Sequence, residues 1–349
     1  MSRGPVAARL AELIATEGPI PVSTFVDHSL YGPGGFYMDG GRAGRRGDFL
    51  TAPEVGPLFG AVLARAIDGW WADLGRPEVY TVLEWGAGPG TLARAVLAAE
   101  PEVLATGALR WVMVERSEAQ REWHPVHDAV RSAGPGDVSA VDAGLVLANE
   151  LLDNLAFDIV ERTVDGWAEI RIGDVDGAFV EIWQPASVPV ELPADDIAVG
   201  VRLPWQRTAR EWLAEARALV ARGRVVVFDY GATTRELAER NGGWLRTHAG
   251  HEGGADWLRE PGTCDITSDV DFDQLQADHR ADVHEEQAVW LARHGIDQLV
   301  EEGRAIWERS AGVGDLAALT ARSRIREADA LTDADGMGAF HVLEWRIDK

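Results

Sequence analysis

With 349 residues and 46% hydrophobic content, the chain has apolar material for one large domain or two smaller ones. Acidic residues outnumber basic ones 57 to 33, and a formal charge of -24 opposes binding to phosphate backbones; no nucleic acid is expected, and a basic peptide or protein is the better partner. The single Cys264 excludes an intrachain disulfide framework and a cysteine-based zinc site, no run approaches 18 apolar residues, and a soluble cytoplasmic protein without membrane insertion is expected.

Residues 5–17 carry Val6, Leu10, Leu13 and Ile14 at helical spacing, closed by Gly18-Pro19, and Arg9 and Glu12 fall where a signal peptide would need an unbroken apolar stretch. The segment "YGPGGFYMDGGRAGRRGDFLTAPE" at 31–54 is rich enough in glycine to predict a loop, of a length usually functional or disordered in compact domains. Leu58, Phe59, Val62, Leu63, Ala66, Ile67, Trp70, Trp71 and Leu74 then form one wide helical stripe suited to a core. Residues 1–78 are read as a helical N-terminal region.

From 79 onward, short apolar runs alternate with helical stretches: "VYTVLEW", then 90–99, "LRWVMVE", then 117–131, and "GLVLANE". Continuous Val, Leu and Ile runs between helices predict an α/β fold with a mostly parallel sheet covered on both faces, its first half at 79–156. Residues 157–204 instead alternate in "FDIVERTV", "WAEIRIG" and "AFVEIWQP", separated by Asp-Gly pairs at 165–166 and 176–177, and read as an inserted antiparallel hairpin region. A helix at 205–222 leads to "RVVVFDYG", whose carboxyl end carries Asp229 and Tyr230, and "GAFHVLEWRI" supplies a closing strand, so the sheet resumes over 205–349.

Ligands of an open α/β sheet bind beyond the carboxyl ends of its strands. The first run ends in Glu84 and the turn Gly86-Ala87-Gly88-Pro89-Gly90-Thr91. A dinucleotide fingerprint wants a small residue where Thr91 stands, and a P-loop wants a Lys that is absent. What remains, acid-x-Gly-x-Gly-x-Gly, is similar to the first motif of class I S-adenosylmethionine (SAM) methyltransferases; a structural glycine turn or another cofactor is the alternative. The second run ends in Glu115, placed to accept bonds from the ribose hydroxyls of any adenosine cofactor or, alternatively, to complement a helix dipole. The third ends in Asn149, Glu150 and Asp153. Two carboxylates one helical turn apart suit a guanidinium acceptor, which they would fork, although Asp153 could merely cap its segment. His248-x-x-His251 with Glu252 lacks further ordered ligands, and no metal is expected.

The segments "GPGGFYM", "GRRGDFLTAPEVGPLFG", "LEWGAGPGTLA", "VMVERSEAQ", "LANELLDNLAFD", "VVVFDYG", "LRTHAGHEGGADWLREPGTCDITSDVDF" and "GMGAFHVLEW" occur in an order and spacing that resemble the MidA-like family of SAM-dependent methyltransferases, which includes the mitochondrial complex I assembly arginine methyltransferase. The resemblance covers nearly the whole chain. It implies a Rossmann-like class I methyltransferase with a helical N-terminal extension, and symmetric dimethylation of an arginine in a protein substrate such as an NADH dehydrogenase subunit. It further implies that Glu84, Gly86, Gly88, Gly90 and Glu115 bind SAM, that Gly47, Asp48, Phe49 and Thr51 belong to a loop folding over the cofactor, and that Asn149 lines the methyl end. Pro89 and the run from Asp153 to Phe157 depart from the family pattern. They keep a small-molecule or other side-chain acceptor in play, while the long 31–54 loop and the hairpin insertion keep a SAM-binding assembly chaperone without turnover as a further alternative.

Overall fold

The computed structural model describes residues 3–38, 51–186, 190–192, 196–249, 252–253, 256–310 and 316–349. Two N-terminal helices, α1 (Pro5–Glu17) and α2 (Val22–Tyr31), flank the two-residue strand Ile20–Pro21. The predicted 31–54 loop is described at its two ends: turns follow Tyr31, and a short helix α3 (Ala52–Val55) precedes α4 (Pro57–Asp73). Pro57 opens α4 at the position where a missing N–H costs nothing, and the buried Glu327 carboxylate accepts the Leu58 N–H at 2.9 Å.

The central sheet uses β1 (Tyr80–Trp85), then α5 (Thr91–Ala98), β2 (Leu109–Val114), α6 (Glu118–Arg121), β3 (Val130–Ala133) and β4 (Val141–Asn149). The helix expected over 117–131 is a single turn. Pro125 disfavours helical backbone at His124, and the chain turns into the short edge strand β3. Next come β5 (Asp158–Thr163), β6 (Gly166–Val175), β7 (Ala178–Pro185) and β8 (Arg202–Trp205), antiparallel throughout and joined by Ile20–Pro21 into a second sheet of five strands. Asp176 and Gly177 have φ of +51° and +88°, the backbone of a two-residue hairpin turn whose twist matches its strands.

Helix α7 (Arg207–Ala218) starts two residues later and stops four residues earlier than the sequence suggests, because β9 (Val220–Asp229) already begins at Val220. After α8 (Thr234–Arg240), β10 (Leu245–Ala249) and β11 (Asp265–Ser268) pair antiparallel in a small third sheet. The chain then adds β12 (Val283–Glu286), α9 (Gln287–Arg293), α10 (Ile296–Ser310), α11 (Leu316–Leu331) and β13 (His341–Asp348). The central strand order is β12-β13-β9-β4-β1-β2-β3. All pairs from β9 to β3 are parallel, and β13 lies antiparallel between β9 and β12.

This is a Rossmann-like, mostly parallel sheet with a helical N-terminal extension and an antiparallel insertion between β4 and β9. Alternation along β4 sends Leu145 and Leu147 to one core with α4, and Val146 and Ala148 to the opposite core with Trp212 and Leu213 of α7. A Cβ on Gly60 would lie 2.4 Å from that of Ala95, so glycine is what lets α4 approach α5. Helices α1 and α2 bury Leu10, Phe25 and Val26 against Ile159, Ile170 and Ile172 of the second sheet, a separate core. Among the described residues no helix is long and apolar enough to cross a membrane.

Candidate active site

Register brings the strand ends level. Glu84 stands beside Leu147, Trp85 beside Val114, and Asn149 beside Phe228, so Glu84, Glu115, Asn149 and Asp229 share one edge of the sheet. Beyond that edge lies an open cleft, walled by the ends of these strands and by residues of the N-terminal region. Gly86 and Gly88 line it and Gly90 ends the same turn, with φ of +66°, +53° and +84°, which glycine adopts without strain. At Gly90 a Cβ would also meet the Met113 Cε at 2.4 Å. The turn delivers the chain into α5 with glycine as its cap, which offers no side chain to the first N–H groups of the helix.

The sequence-selected residues that the structure describes each have a definite place. Glu84 is buried on the cleft wall and accepts the Trp111 Nε1–H at 2.6 Å, while burial pushes its pKa up to about 8. Glu115 accepts the N–H of Gly88 at 3.0 Å and of Ser117 at 2.8 Å, tying the glycine turn to the end of β2; burial raises its pKa. Thr51 lines the cleft, whereas Gly47, Asp48 and Phe49 lie outside the described residues. Asn149 lines it too, donating through Nδ2 to Glu150 at 3.1 Å, with a buried Oδ1 that has no hydrogen-bond partner among the described residues.

Glu150 sits at the turning point. Its N–H donates to the Phe228 carbonyl at 2.8 Å, and its φ of +51° is unusual for a residue with a side chain. The Ala52 N–H donates to its carboxylate at 3.0 Å, and burial, partly offset by that bond, pushes its pKa up to about 8. The left-handed backbone turns the chain out of β4 into the one-turn helix Leu152–Asn154. Asp229 anchors this turn, accepting the N–H groups of Leu152 at 2.8 Å and Tyr230 at 2.9 Å.

A second cavity adjoins the first. Glu150, Asp153, Asp265, Tyr230, Arg246 and Phe340 line it together with His248 and Thr267. Asp153 accepts the Tyr230 hydroxyl at 2.5 Å and the Asn154 Nδ2 at 3.0 Å, and burial raises its pKa to about 6. Arg246 stands over the Tyr230 ring at 5.0 Å and pairs with Asp269 at 2.8 Å. Glu150 is on the wall of both cavities. The structure thus brings Glu150 and Asp153 to one pocket, as their spacing suggests. His248 belongs to that pocket, and His251 lies outside the described residues.

Several lining residues are not evident from sequence. Tyr31, Tyr37, Gln120 and Asn154 wall the first cavity, and Tyr230, Arg246, Asp265 and Phe340 the second. His124 touches the glycine turn, with Nε2 and the Gly88 carbonyl 2.9 Å apart and Nδ1 at 2.9 Å from the Ser132 hydroxyl. The one available signal was position: Tyr230 follows the end of a buried strand, where such folds keep their chemistry.

The first cavity fits an adenosine cofactor with a charged amino-acid end: glycine backbone for close approach, an acid beside the turn, and the unpartnered Asn149 oxygen. The chain is 28% identical to mitochondrial protein arginine methyltransferase NDUFAF7 of Mus musculus, with 84% of this chain and 74% of that one covered. It is 27% identical to the Homo sapiens protein of that name over the same shares. A crystal structure from Burkholderia thailandensis bound to S-adenosyl-homocysteine superposes with a TM-score of 0.81 at 29% identity, covering 100% of this chain and 96% of that one. The mitochondrial relatives overturn the expectation of a cytoplasmic protein. A lone thiol and an acidic surface describe any reducing compartment, so composition never distinguished the two. The profile of a family described as "Putative S-adenosyl-L-methionine-dependent methyltransferase" matches residues 62–288, and the chain belongs to that family: it is a SAM-dependent methyltransferase.

Proposed function

We propose that the second cavity receives the guanidinium of an arginine in a protein substrate, and that Glu150 and Asp153 orient it toward the methyl group. The observation that carries this reading is the position of Glu150, the one acid of the pair on the wall of both cavities. Pocket chemistry supports a cation: three carboxylates line it, and Asp269 is already matched by Arg246. The relatives named protein arginine methyltransferases support arginine in particular. A subunit of a respiratory NADH dehydrogenase, modified to symmetric dimethylarginine, is the substrate the family resemblance favours.

On the cofactor side we assign the glycine turn Gly86, Gly88 and Gly90 to the methionyl end, with Glu84 behind it. Glu115 is assigned to the ribose and Asn149 to the methyl end. Thr51, with the neighbouring Gly47, Asp48 and Phe49, is assigned to the cover over the cofactor. When bound, SAM supplies an electrophilic methyl group on a sulfonium. The rest is alignment and proton handling. Glu150 and Asp153 accept the guanidinium N–H groups and draw its charge away from the attacking nitrogen. As the N–C bond forms, that nitrogen loses a proton, and a buried carboxyl with a pKa near 8 is matched to take it near neutral pH.

The test is methyl transfer from labelled SAM to arginine-bearing peptides, read by product mass, with wild type and Glu150→Gln. The reading predicts mono- and dimethylarginine from the wild type and a loss of turnover in the variant with little change in SAM affinity. Full turnover in Glu150→Gln would remove Glu150 from this role.

A further inference from the structure

Tyr37 stands between the two cavities. Its ring lines the cofactor cleft, 9% exposed, and stacks on Tyr31 at 5.4 Å with the planes 19° apart. The guanidinium of Arg116 covers Tyr31 at 4.2 Å, and Arg116 directly follows Glu115 and pairs with Asp27 at 2.9 Å. The stack therefore runs from the acid assigned to the ribose to Tyr37. On its other side the Tyr37 hydroxyl lies 2.9 Å from Asn154 Oδ1 and 2.9 Å from Asp265 Oδ2. Asn154 passes the contact on, donating through Nδ2 to Asp153 at 3.0 Å. Asp153 and Asp265 both line the second cavity.

One hydroxyl hydrogen makes one well-aligned bond, and shared between two acceptors it serves each more weakly. Which oxygen it serves depends on the charge and placement of Asp153 and Asp265, and a cation arriving between them changes both. A cofactor that fixes the Tyr31–Tyr37 stack fixes the donor in turn. We infer that Tyr37 is a positioning residue that couples the two pockets, so that an occupied cofactor cleft prepares the carboxylates for the acceptor cation and the reverse. This rests on the acceptor reading above and goes beyond it, because separate binding of the two ligands would need no such link.

Coupling is reciprocal, so it can be read from the tighter ligand alone. S-adenosylhomocysteine is titrated calorimetrically into the full chain with and without saturating acetyl-Gly-Arg-Gly-amide. In the wild type the peptide tightens S-adenosylhomocysteine at least about fivefold, the lower end of measured couplings. In Tyr37→Phe, which keeps the ring and loses the hydroxyl, the tightening, read as the ratio of S-adenosylhomocysteine affinities with and without peptide in that same variant, falls below about twofold. Asn154→Ser cuts the same path from the other side and gives the same loss, which keeps the test open should Tyr37→Phe fail to fold. A variant with the full wild-type tightening overturns the inference. If the wild type methylates the peptide yet shows no tightening, the coupling is absent while the acceptor reading stands. If it neither methylates the peptide nor responds to it, the acceptor reading and this inference fall together.

Discussion

The two cavities are built differently. The floor of the cofactor cleft is local, an acid, three glycines and a helix start within nine residues; Glu115 of the adjacent strand and the remaining walls, among them Tyr31, Tyr37, Thr51 and Asn149, are brought to it by the fold. The acceptor cavity draws Glu150 and Asp153 from one turn, Tyr230 from the next strand, Arg246 and Asp265 from a small separate sheet, and Phe340 from just ahead of the last strand. Backbone conformation shapes the first and buried carboxylates shape the second. A ligand common to many enzymes can be recognised by a short transferable segment, whereas the surroundings of the acceptor are assembled by the tertiary fold.

Substitutions should separate the two halves. The largest effect is expected for Glu150→Gln, which removes the negative charge and the proton acceptor together: turnover should fall by about 10²–10⁴-fold, the range of a positioned general base. Rates in the variant within tenfold of wild type would break the assignment. Next, Glu115→Ala should weaken S-adenosylhomocysteine by about 1–3 kcal/mol, the cost of a lost charge-assisted contact. An unchanged dissociation constant would place the ribose elsewhere. Gly90→Ala forces a Cβ into Met113 at a φ of +84° and should cost about 1–3 kcal/mol of stability by denaturant titration. A neutral result there would show that the turn relaxes freely.

Acidity gives a smaller and separate handle. Between its ordinary 4.5 and about 8, the folded chain keeps a proton on Glu150 that the unfolded chain has released. Its contribution to stability is therefore full below about pH 4.5 and is lost as pH rises through about 8. Wild type should lose stability relative to Glu150→Gln over that window, and parallel pH curves for the two would contradict the buried acid. The same ionisation should make kcat/KM for an arginine peptide rise through an apparent pKa near 8 in the wild type. His124→Ala, which loosens the glycine turn only through the Gly88 carbonyl, should weaken S-adenosylhomocysteine by about 0.5–1.5 kcal/mol, one neutral hydrogen bond.

Legibility in the sequence follows the same division. Buried strands such as "YTVLEW" and "RVVVFD" and the two Asp-Gly hairpins identified themselves, because period and turn chemistry are local. Glu84, Glu115 and Asn149 could be picked out because parallel strands end at one edge. The 117–131 segment misled because its polar, helix-forming start hid the break at Pro125, and Val130–Ala133 is too short and too exposed to show a strand pattern. Tyr37 and Asp265 were beyond reach: they lie 228 residues apart, and only the packing of α2 on the second sheet and the pairing of β10 with β11 bring them together. Glu150 was visible as an acid after a strand, but its place on two walls depends on a left-handed backbone that no sequence pattern announced.

The most direct test of this division is a calorimetric titration of S-adenosylhomocysteine into wild type, Glu115→Ala and Glu150→Gln under one condition. The account predicts that Glu115→Ala binds about 10–100-fold more weakly, while Glu150→Gln stays within about threefold of wild type. Loss of binding in Glu150→Gln with Glu115→Ala unaffected would place the cofactor in the wrong cavity and contradict the account.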